Sequence, residues 1–309
     1  MGLGMRIVSL LPSATEICYA VGLENQLVGV THECDYPERA TKKLHVTKSR
    51  AHNGLSSSEI DTLVRSQLDE TGSLYELNFD MLSALEPDLI LTQRLCTVCA
   101  VSIDQVREMA ERLPKKPHVE NLEPRTLDEV LETIRRVAVL GDSAHHGPVL
   151  RALRTRIEHV KRAVKRLSKP KVLVLEWVDP PFASGHWIPE LVEIAGGENT
   201  VAFKHAPSRE VTWDQVVAAR AEIIIIAECG FDVQRQKQDI KIFWEKIRAA
   251  EHGFDVMPEV WVCDGSQYFS RPGPRLVDTL ELLAGIIHRE VRSEFLGKYQ
   301  LEKDFESIT

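Results

Sequence analysis

One segment of the chain occurs twice, so the fold must contain the same α/β unit twice. Residues 77–90 read Leu77-Asn78-Phe79-Asp80-Met81-Leu82-Ser83-Ala84-Leu85-Glu86-Pro87-Asp88-Leu89-Ile90. Residues 211–224 repeat the pattern as Val211-Thr212-Trp213-Asp214-Gln215-Val216-Val217-Ala218-Ala219-Arg220-Ala221-Glu222-Ile223-Ile224. Each copy predicts a short helix, capped by Asn78 or Thr212, that runs into a buried strand. Two similar halves facing each other leave a cleft, and clefts between lobes are where ligands bind. The expected architecture is α/β, with two similar Rossmann-like lobes and a ligand cleft between them.

The rest of the chain fits that plan. A strand is expected over 6–10, then a helix from Pro12-Ser13, with Ser13 and Glu16 spaced as a capping box and Gly22 at its end. Further strands are expected over 27–30 and 89–92, and helices over 103–113 and 127–140. Leu150, Leu153, Ile157, Val160, Val164 and Leu167 then recur three or four apart. They form one apolar stripe on ~20 residues, or about 30 Å of helix, which predicts a single long backbone helix ending at Lys169-Pro170. The second half repeats the scheme with strands over 171–175, 223–226 and 260–263 and helices over 189–195, 238–250 and from 274 to about 291. The expected boundaries are an N-terminal lobe over 1–125, connecting helices over 126–170 and a C-terminal lobe over 171–309.

Bulk composition narrows the partners. The 309 residues are 43% apolar and 27% charged, values typical of a soluble globular protein. A formal net charge of −8 without a long basic run argues against nucleic acid. No apolar stretch approaches the ~20 residues that span a bilayer, so direct membrane insertion is not expected. The N-terminus carries no secretory signal pattern, and the six cysteines do not suggest a secreted disulfide framework. Both point to the cytoplasm, or to the periplasm only if a native signal peptide was removed.

Ligands meet an α/β sheet at the loops that follow its strands, so the residues placed there are the candidates. In the first half these are His32, Glu33 and Cys34, then Gln93, Arg94, Cys96 and Cys99. In the second half they are Glu176 and Trp177, His186 and Trp187, Glu228 with Cys229, and Asp264 with Tyr268, Phe269 and Arg271. Thiolates with imidazole select zinc, iron or copper(I), which makes His32, Cys34, Cys96 and Cys99 the candidate metal ligands. A single Cys-x-x-Cys suits redox chemistry as well. Trp177, Trp187, Tyr268 and Phe269 could wall a flat ligand, while Cys18 and Cys263 read as small buried hydrophobes. A phosphate-binding glycine loop and a Gly-x-Ser-x-Gly elbow are both missing, which removes support for those enzyme classes.

Several motifs together resemble a known family. They are Val8-Ser9-Leu10-Leu11-Pro12-Ser13-Ala14-Thr15-Glu16, Leu85-Glu86-Pro87-Asp88-Leu89-Ile90, Pro181-Phe182-Ala183-Ser184-Gly185, Val192-Glu193-Ile194-Ala195-Gly196-Gly197-Glu198-Asn199 and Tyr268-Phe269-Ser270-Arg271-Pro272-Gly273-Pro274-Arg275. In this order they are similar to the helical-backbone (class III) cobalamin- and iron-siderophore-binding receptors of ABC importers, closest to the cobalamin branch. The resemblance implies a ligand held between lobes that move little, and an acidic residue on each lobe that docks onto the permease. The matching positions are Asp80 and Asp214, each one methylene shorter than the family's usual Glu. Gln93 stands where the cobalamin binders place a tryptophan, and Tyr268-Phe269 keeps the aromatic position before the final helix.

Two functions are expected on these grounds. The first is a cytoplasmic binding protein that holds a metal-containing or planar ligand (cobalamin, a chelate or a metal ion) through Glu33, Gln93, Arg94, Glu176, Trp177, His186, Trp187, Glu228, Tyr268 and Phe269. The alternative is a metal–thiolate enzyme or redox sensor, with zinc or an iron–sulfur cluster and a carboxylate such as Glu33, Glu176 or Glu228 as acid or base. The cofactor classes implied are a transition metal or a corrinoid. The partner implied by the resemblance is an ABC permease, from which the missing export signal points away.

Overall fold

The computed structural model describes residues 4–49, 55–71, 75–94, 103–250, 254 and 256–309. They divide into two compact units, one of residues 1–124 and 129–151 and one of residues 125–128 and 152–309.

The first unit is built on a parallel sheet. Its elements are β1 (Ile7–Ser9), α1 (Pro12–Ala20), β2 (Leu27–Val30), β3 (Leu44–His45), β4 (Thr47–Ser49), α2 (Ser57–Thr71), β5 (Tyr75–Leu77), α3 (Phe79–Ala84), β6 (Leu89–Thr92), α4 (Ile103–Arg112), β7 (His118–Asn121) and α5 (Leu127–Leu140). Five strands pair in the order β3-β2-β1-β6-β7, and β4 and β5 form a separate antiparallel pair. Parallel strands covered on both faces read as continuous apolar runs. Ile7, Val8, Leu89, Ile90 and Leu91 obey this, each at most 2% exposed. The chain then enters α6 (His146–Val164), within which one unit gives way to the other.

The second unit repeats the design. It contains β8 (Lys171–Trp177), β9 (Phe182–Ala183), α7 (Ile188–Ile194), β10 (Glu198–Asn199), β11 (Arg209–Glu210), α8 (Trp213–Ala218), β12 (Ile223–Ile226), α9 (Val233–Ala249), β13 (Glu259–Cys263), α10 (Leu276–Ile287), α11 (Arg292–Leu296) and β14 (Phe305–Ser307). The sheet order is β11-β9-β8-β12-β13-β14, with β10 also on β8. The centre, β8-β12-β13, is parallel, while β9, β11 and β14 run antiparallel at the flanks. Four consecutive isoleucines make β12 the buried axis of this sheet, because β-branched side chains pack well on a pleated surface enclosed from both sides.

The repeat is a structural repeat down to single hydrogen bonds. Asn78 caps α3 by accepting from the Met81 amide, and Thr212 caps α8 by accepting from the Gln215 amide. Gln215 returns the bond to Thr212, completing a capping box. Each helix then reverses through a residue in the left-handed region, Glu86 at φ 41° and Arg220 at φ 48°. A carboxylate follows in each copy and accepts the amide that opens the neighbouring strand: Asp88 from Arg6 at 2.8 Å, and Glu222 from Lys171 at 2.9 Å.

Some expectations are corrected. Ser13 and Glu16 form no capping box, since α1 starts at Pro12 and its N-cap, Leu11, makes no side-chain bond. Proline suits the first helical turn, where its missing N–H is no loss. The stripe on α6 is buried as expected from Leu150 to Val164, but the helix ends at Val164 rather than at Lys169. The final helix stops at Ile287, and after it the chain turns back so that β14 adds to the edge of β13. No helix among the described residues is long and apolar enough to cross a membrane.

Candidate functional site

In the first unit the loop after β2 is anchored from below. The Thr31 and Thr47 hydroxyls lie 2.8 Å apart, and His32 reaches Thr47 Oγ1 through its amide at 3.1 Å and its Nδ1 at 2.7 Å. The imidazole also packs on the Tyr75 ring, with centroids 5.0 Å apart. His32 Nε2 lies 3.1 Å from Glu33 Oε1, at ion-pair distance but without the alignment of a hydrogen bond. Cys34 points the other way: it is 2% exposed, and its Sγ sits 3.0 Å from Thr15 Oγ1 on α1. Burial pushes the neighbouring Cys18 thiol up to about 12, with Cys34 adding to the effect.

In the loop after β6 Gln93 is buried and Arg94 is exposed. Cys96 and Cys99 lie outside the described residues. Among the described residues no three His, Cys, Asp or Glu side chains gather as a metal-binding set. His32 and Cys34 therefore make no such set with the described residues around them. Cys18, Cys34, Cys229 and Cys263 form no disulfide with one another.

In the second unit three parallel strands end side by side. β8 ends on Glu176 and Trp177, both half-buried. The indole donates from Nε1 to the Asp179 carbonyl at 3.2 Å, and its ring packs against Phe231 at 5.1 Å. The Arg235 guanidinium lies over Phe231 at 4.2 Å, so the two rings are backed by a cation. Sequence reasoning missed Phe231 and Arg235. Phe231 stands just after Gly230, where φ is +81° and the chain turns from β12 toward α9, and an aromatic after a strand-end glycine is the signal that could have found it.

Several residues expected to face a ligand are held below the surface. Glu228 is 0% exposed, and its Oε1 accepts the Val178 amide at 3.2 Å. Trp187 is 5% exposed and donates from Nε1 to the Phe269 carbonyl at 3.0 Å. Phe269 is 4% exposed, and Tyr268 donates its hydroxyl to Asp304 Oδ1 at 3.1 Å. The partner Asp304 comes from the C-terminal return that the sequence reading did not foresee. Tyr268 and Phe269 close a π-helical turn, Gly265–Phe269, that follows β13. Its N-cap, Asp264, accepts from the Gln267 amide and side chain, each at 2.7 Å. Burial lifts the Asp264 carboxyl to about 6 against those bonds. Arg271 and Arg275 lie under the same turn and donate to Ser266 Oγ at 3.1 Å and Gln267 Oε1 at 3.0 Å.

His186 takes a different position. It follows β9, which runs antiparallel to β8, so the chain there heads away from the edge that carries Trp177. The His186 amide donates to the Ala206 carbonyl at 2.6 Å, and burial, then the charge of Arg125, lower its imidazole pKa. Its ring centroid is 5.5 Å from that of Trp187. Asp80 and Asp214 are exposed in the first turns of α3 and α8, where a carboxylate favours the helix N-terminus.

The edges described above thus offer aromatic, imidazole and carboxylate groups suited to holding a ligand. The family described as periplasmic binding protein matches residues 7–253. A vitamin B12-binding protein of Yersinia pestis (strain Pestoides F) is 28% identical over 244 residues, covering 77% of this chain and 74% of its own. The solved periplasmic vitamin B12-binding protein of Vibrio cholerae is similar with a TM-score of 0.64 at 21% identity, over 91% of this chain and 96% of that one. A periplasmic heme-binding protein from Pseudomonas aeruginosa gives 0.67 at 17% identity, over 99% of both chains. At such identities the structural likeness establishes the fold.

Proposed function

The chain belongs to the periplasmic binding protein family and has the class III fold, and from that premise we propose that it binds a planar metal chelate of the corrinoid or heme kind. The observation that carries this reading is the Trp177 ring, half-buried at the carboxyl end of β8 and supported from behind by Phe231 and Arg235. A flat aromatic surface held by its own packing loses little conformational freedom when a flat ligand stacks on it. Glu176 beside it supplies a polar contact. The buried Glu228, Trp187, Tyr268 and Phe269 hold these loops in place.

The proposal is tested by titrating aquocobalamin and, separately, heme into the purified protein and following the ligand's visible spectrum. We expect saturable binding of one of them with micromolar or tighter affinity, weakened about tenfold (~1.4 kcal/mol) by Trp177→Ala. The absence of any saturable change with either ligand would sink it. The missing family tryptophan at Gln93 leads us to expect heme-type rather than cobalamin-type ligands to bind more tightly.

Delivery to an ABC permease, with Asp80 and Asp214 as the docking carboxylates, is part of the same proposal. The solved relatives named above are periplasmic proteins. A cytoplasmic place of action, expected from the thiols, is a separate proposal that cell fractionation tests. The metal–thiolate reading has no set of described residues behind it; metal analysis of a Cys96→Ala, Cys99→Ala variant decides it.

A further inference from the structure

Glu228 follows the end of β12 and is wholly buried, yet it joins three strand ends. Its Oε1 accepts the Val178 amide beyond β8, and its own amide donates to Gln236 Oε1 at 3.0 Å. Gln236, also 0% exposed, donates from Nε2 to the carbonyl of Cys263, the last residue of β13, at 2.7 Å. Glu228 Oε2 is left with no donor. A buried carboxylate oxygen without a donor is strongly disfavoured.

The group that resolves this is Asp239 on α9, 1% exposed and within side-chain hydrogen-bonding reach of Glu228. Two carboxylates can bond only through a proton. A proton on Glu228 Oε2, donated to Asp239, satisfies the orphaned oxygen. Asp239 then remains the anion, paired with Arg235 Nη1 at 2.7 Å. Arg235 stacks on Phe231, Phe231 packs on Trp177, and Trp177 precedes the Val178 amide that Glu228 holds. The contacts form a closed ring with one proton in it.

We propose that Glu228 and Asp239 share a single proton that positions Trp177: with the proton bound Glu228 donates to Asp239 and the ring of contacts is closed, and with it lost the two facing carboxylates repel, so that Arg235 and Phe231, tied to Asp239, no longer hold the indole. Burial first, then the charge of Asp239, raise the Glu228 carboxyl well above the usual carboxylate range, while the Val178 amide and Arg235 pull the other way. The other titratable groups at these strand ends are Glu176 near the end of β8 and Asp179 just after it, Cys229 after β12, Cys263 and Asp264 at the end of β13, and Asp232 at the start of α9. A folded-state value above the unfolded one means that the stabilisation is complete below the ordinary glutamate range. It is lost as pH rises through the folded value. The clamp therefore opens on the alkaline side.

An effect on ligand rests on the proposal that Trp177 faces it; the switch itself does not. The test is tryptophan fluorescence of the ligand-free protein as pH is raised from the ordinary carboxylate range into the alkaline range. We expect a transition in the wild type that vanishes in Trp177→Phe and in Glu228→Gln, whose amide keeps the neutral clamp. In Asp239→Asn the amide donates to Glu228 and favours its anion, so the transition moves to lower pH. A flat wild-type profile, a transition that survives Glu228→Gln, or one unmoved by Asp239→Asn would overturn the proposal. Heme and aquocobalamin titrations of the same variants separate the two readings: a transition without binding leaves the switch standing and removes the ligand.

Discussion

In the first repeat copy, α3, the left-handed Glu86, the strand-capping Asp88 and the buried β6 follow one another. In the second, α8, Arg220, Glu222 and β12 do the same with matching bonds. Beyond the strands the resemblance stops. After β6 the chain buries the neutral Gln93 and exposes Arg94, whereas after β12 it buries the carboxyl of Glu228 and lays Phe231 against Trp177. The helix–strand segment carries the fold, and a few residues past the strand carry the chemistry. The two edges can thus differ in chemistry without disturbing the scaffold.

The largest effect should come from the shared part. Ile90 and Ile224 occupy the same repeat position, are both 0% exposed, and each belongs to the apolar core of its unit. Alanine at either site removes buried methyl groups from a parallel sheet and should cost about 2–5 kcal/mol. Chemical denaturation of the two variants checks the equivalence, and costs that differ by more than about 2 kcal/mol would break it.

Next in size is a contrast between glycines. A Cβ on Gly265 would lie 2.1 Å from the Glu228 carbonyl oxygen and 2.6 Å from the Ala227 carbonyl carbon, both backbone atoms. On Gly29 of β2 it would meet Leu85 Cδ1 at 2.7 Å and Val46 Cγ1 at 3.0 Å, which are side-chain ends that can give way. Gly265→Ala should therefore cost about 3 kcal/mol and Gly29→Ala about 1 kcal/mol. Equal melting temperatures for the two variants would show that the turn after β13 is softer than its packing implies.

Much of this was legible in the sequence for a physical reason. Periodicity and caps act locally, so Asn78, Thr212, the run Ile223–Ile226 and the stripe on α6 announced themselves. Burial of a strand-end side chain does not act locally. Glu228 goes inward because Gln236 and Asp239, on the helix that follows, wait there, and Tyr268 is sealed because Asp304 returns along β13. His186 was placed by a rule for parallel strands, and the antiparallel β9 carries it elsewhere. The distal ends of such contacts leave no pattern in the neighbouring residues.

The caps give a smaller and finer test. Asn78→Ala and Thr212→Ala each remove one side-chain acceptor from a helix N-terminus and should cost about 1 kcal/mol. Gln215 adds a return bond to the Thr212 amide at 3.0 Å, which Met81, its counterpart, cannot make. Gln215→Ala should accordingly cost a further few tenths of a kcal/mol, about the worth of one exposed capping contact. Denaturation midpoints that are unchanged in Gln215→Ala but lowered in Thr212→Ala would show the box closed from one side only.

The smallest effect tests whether the copies share their strain as well as their bonds. Glu86 and Arg220 hold positive φ, where a side chain crowds the following carbonyl at a cost of about 1–2 kcal/mol. Glycine relieves that crowding but brings more conformational freedom to the unfolded chain, worth roughly 0.5–1 kcal/mol. The net change in Glu86→Gly and in Arg220→Gly should be a gain of up to about 1 kcal/mol, with the same sign in both. Both side chains are exposed at these turns, so little packing is lost to mask the backbone term. A gain at one position and a loss at the other, measured by denaturation midpoint, would mean that the matching turns differ in how firmly their units hold them.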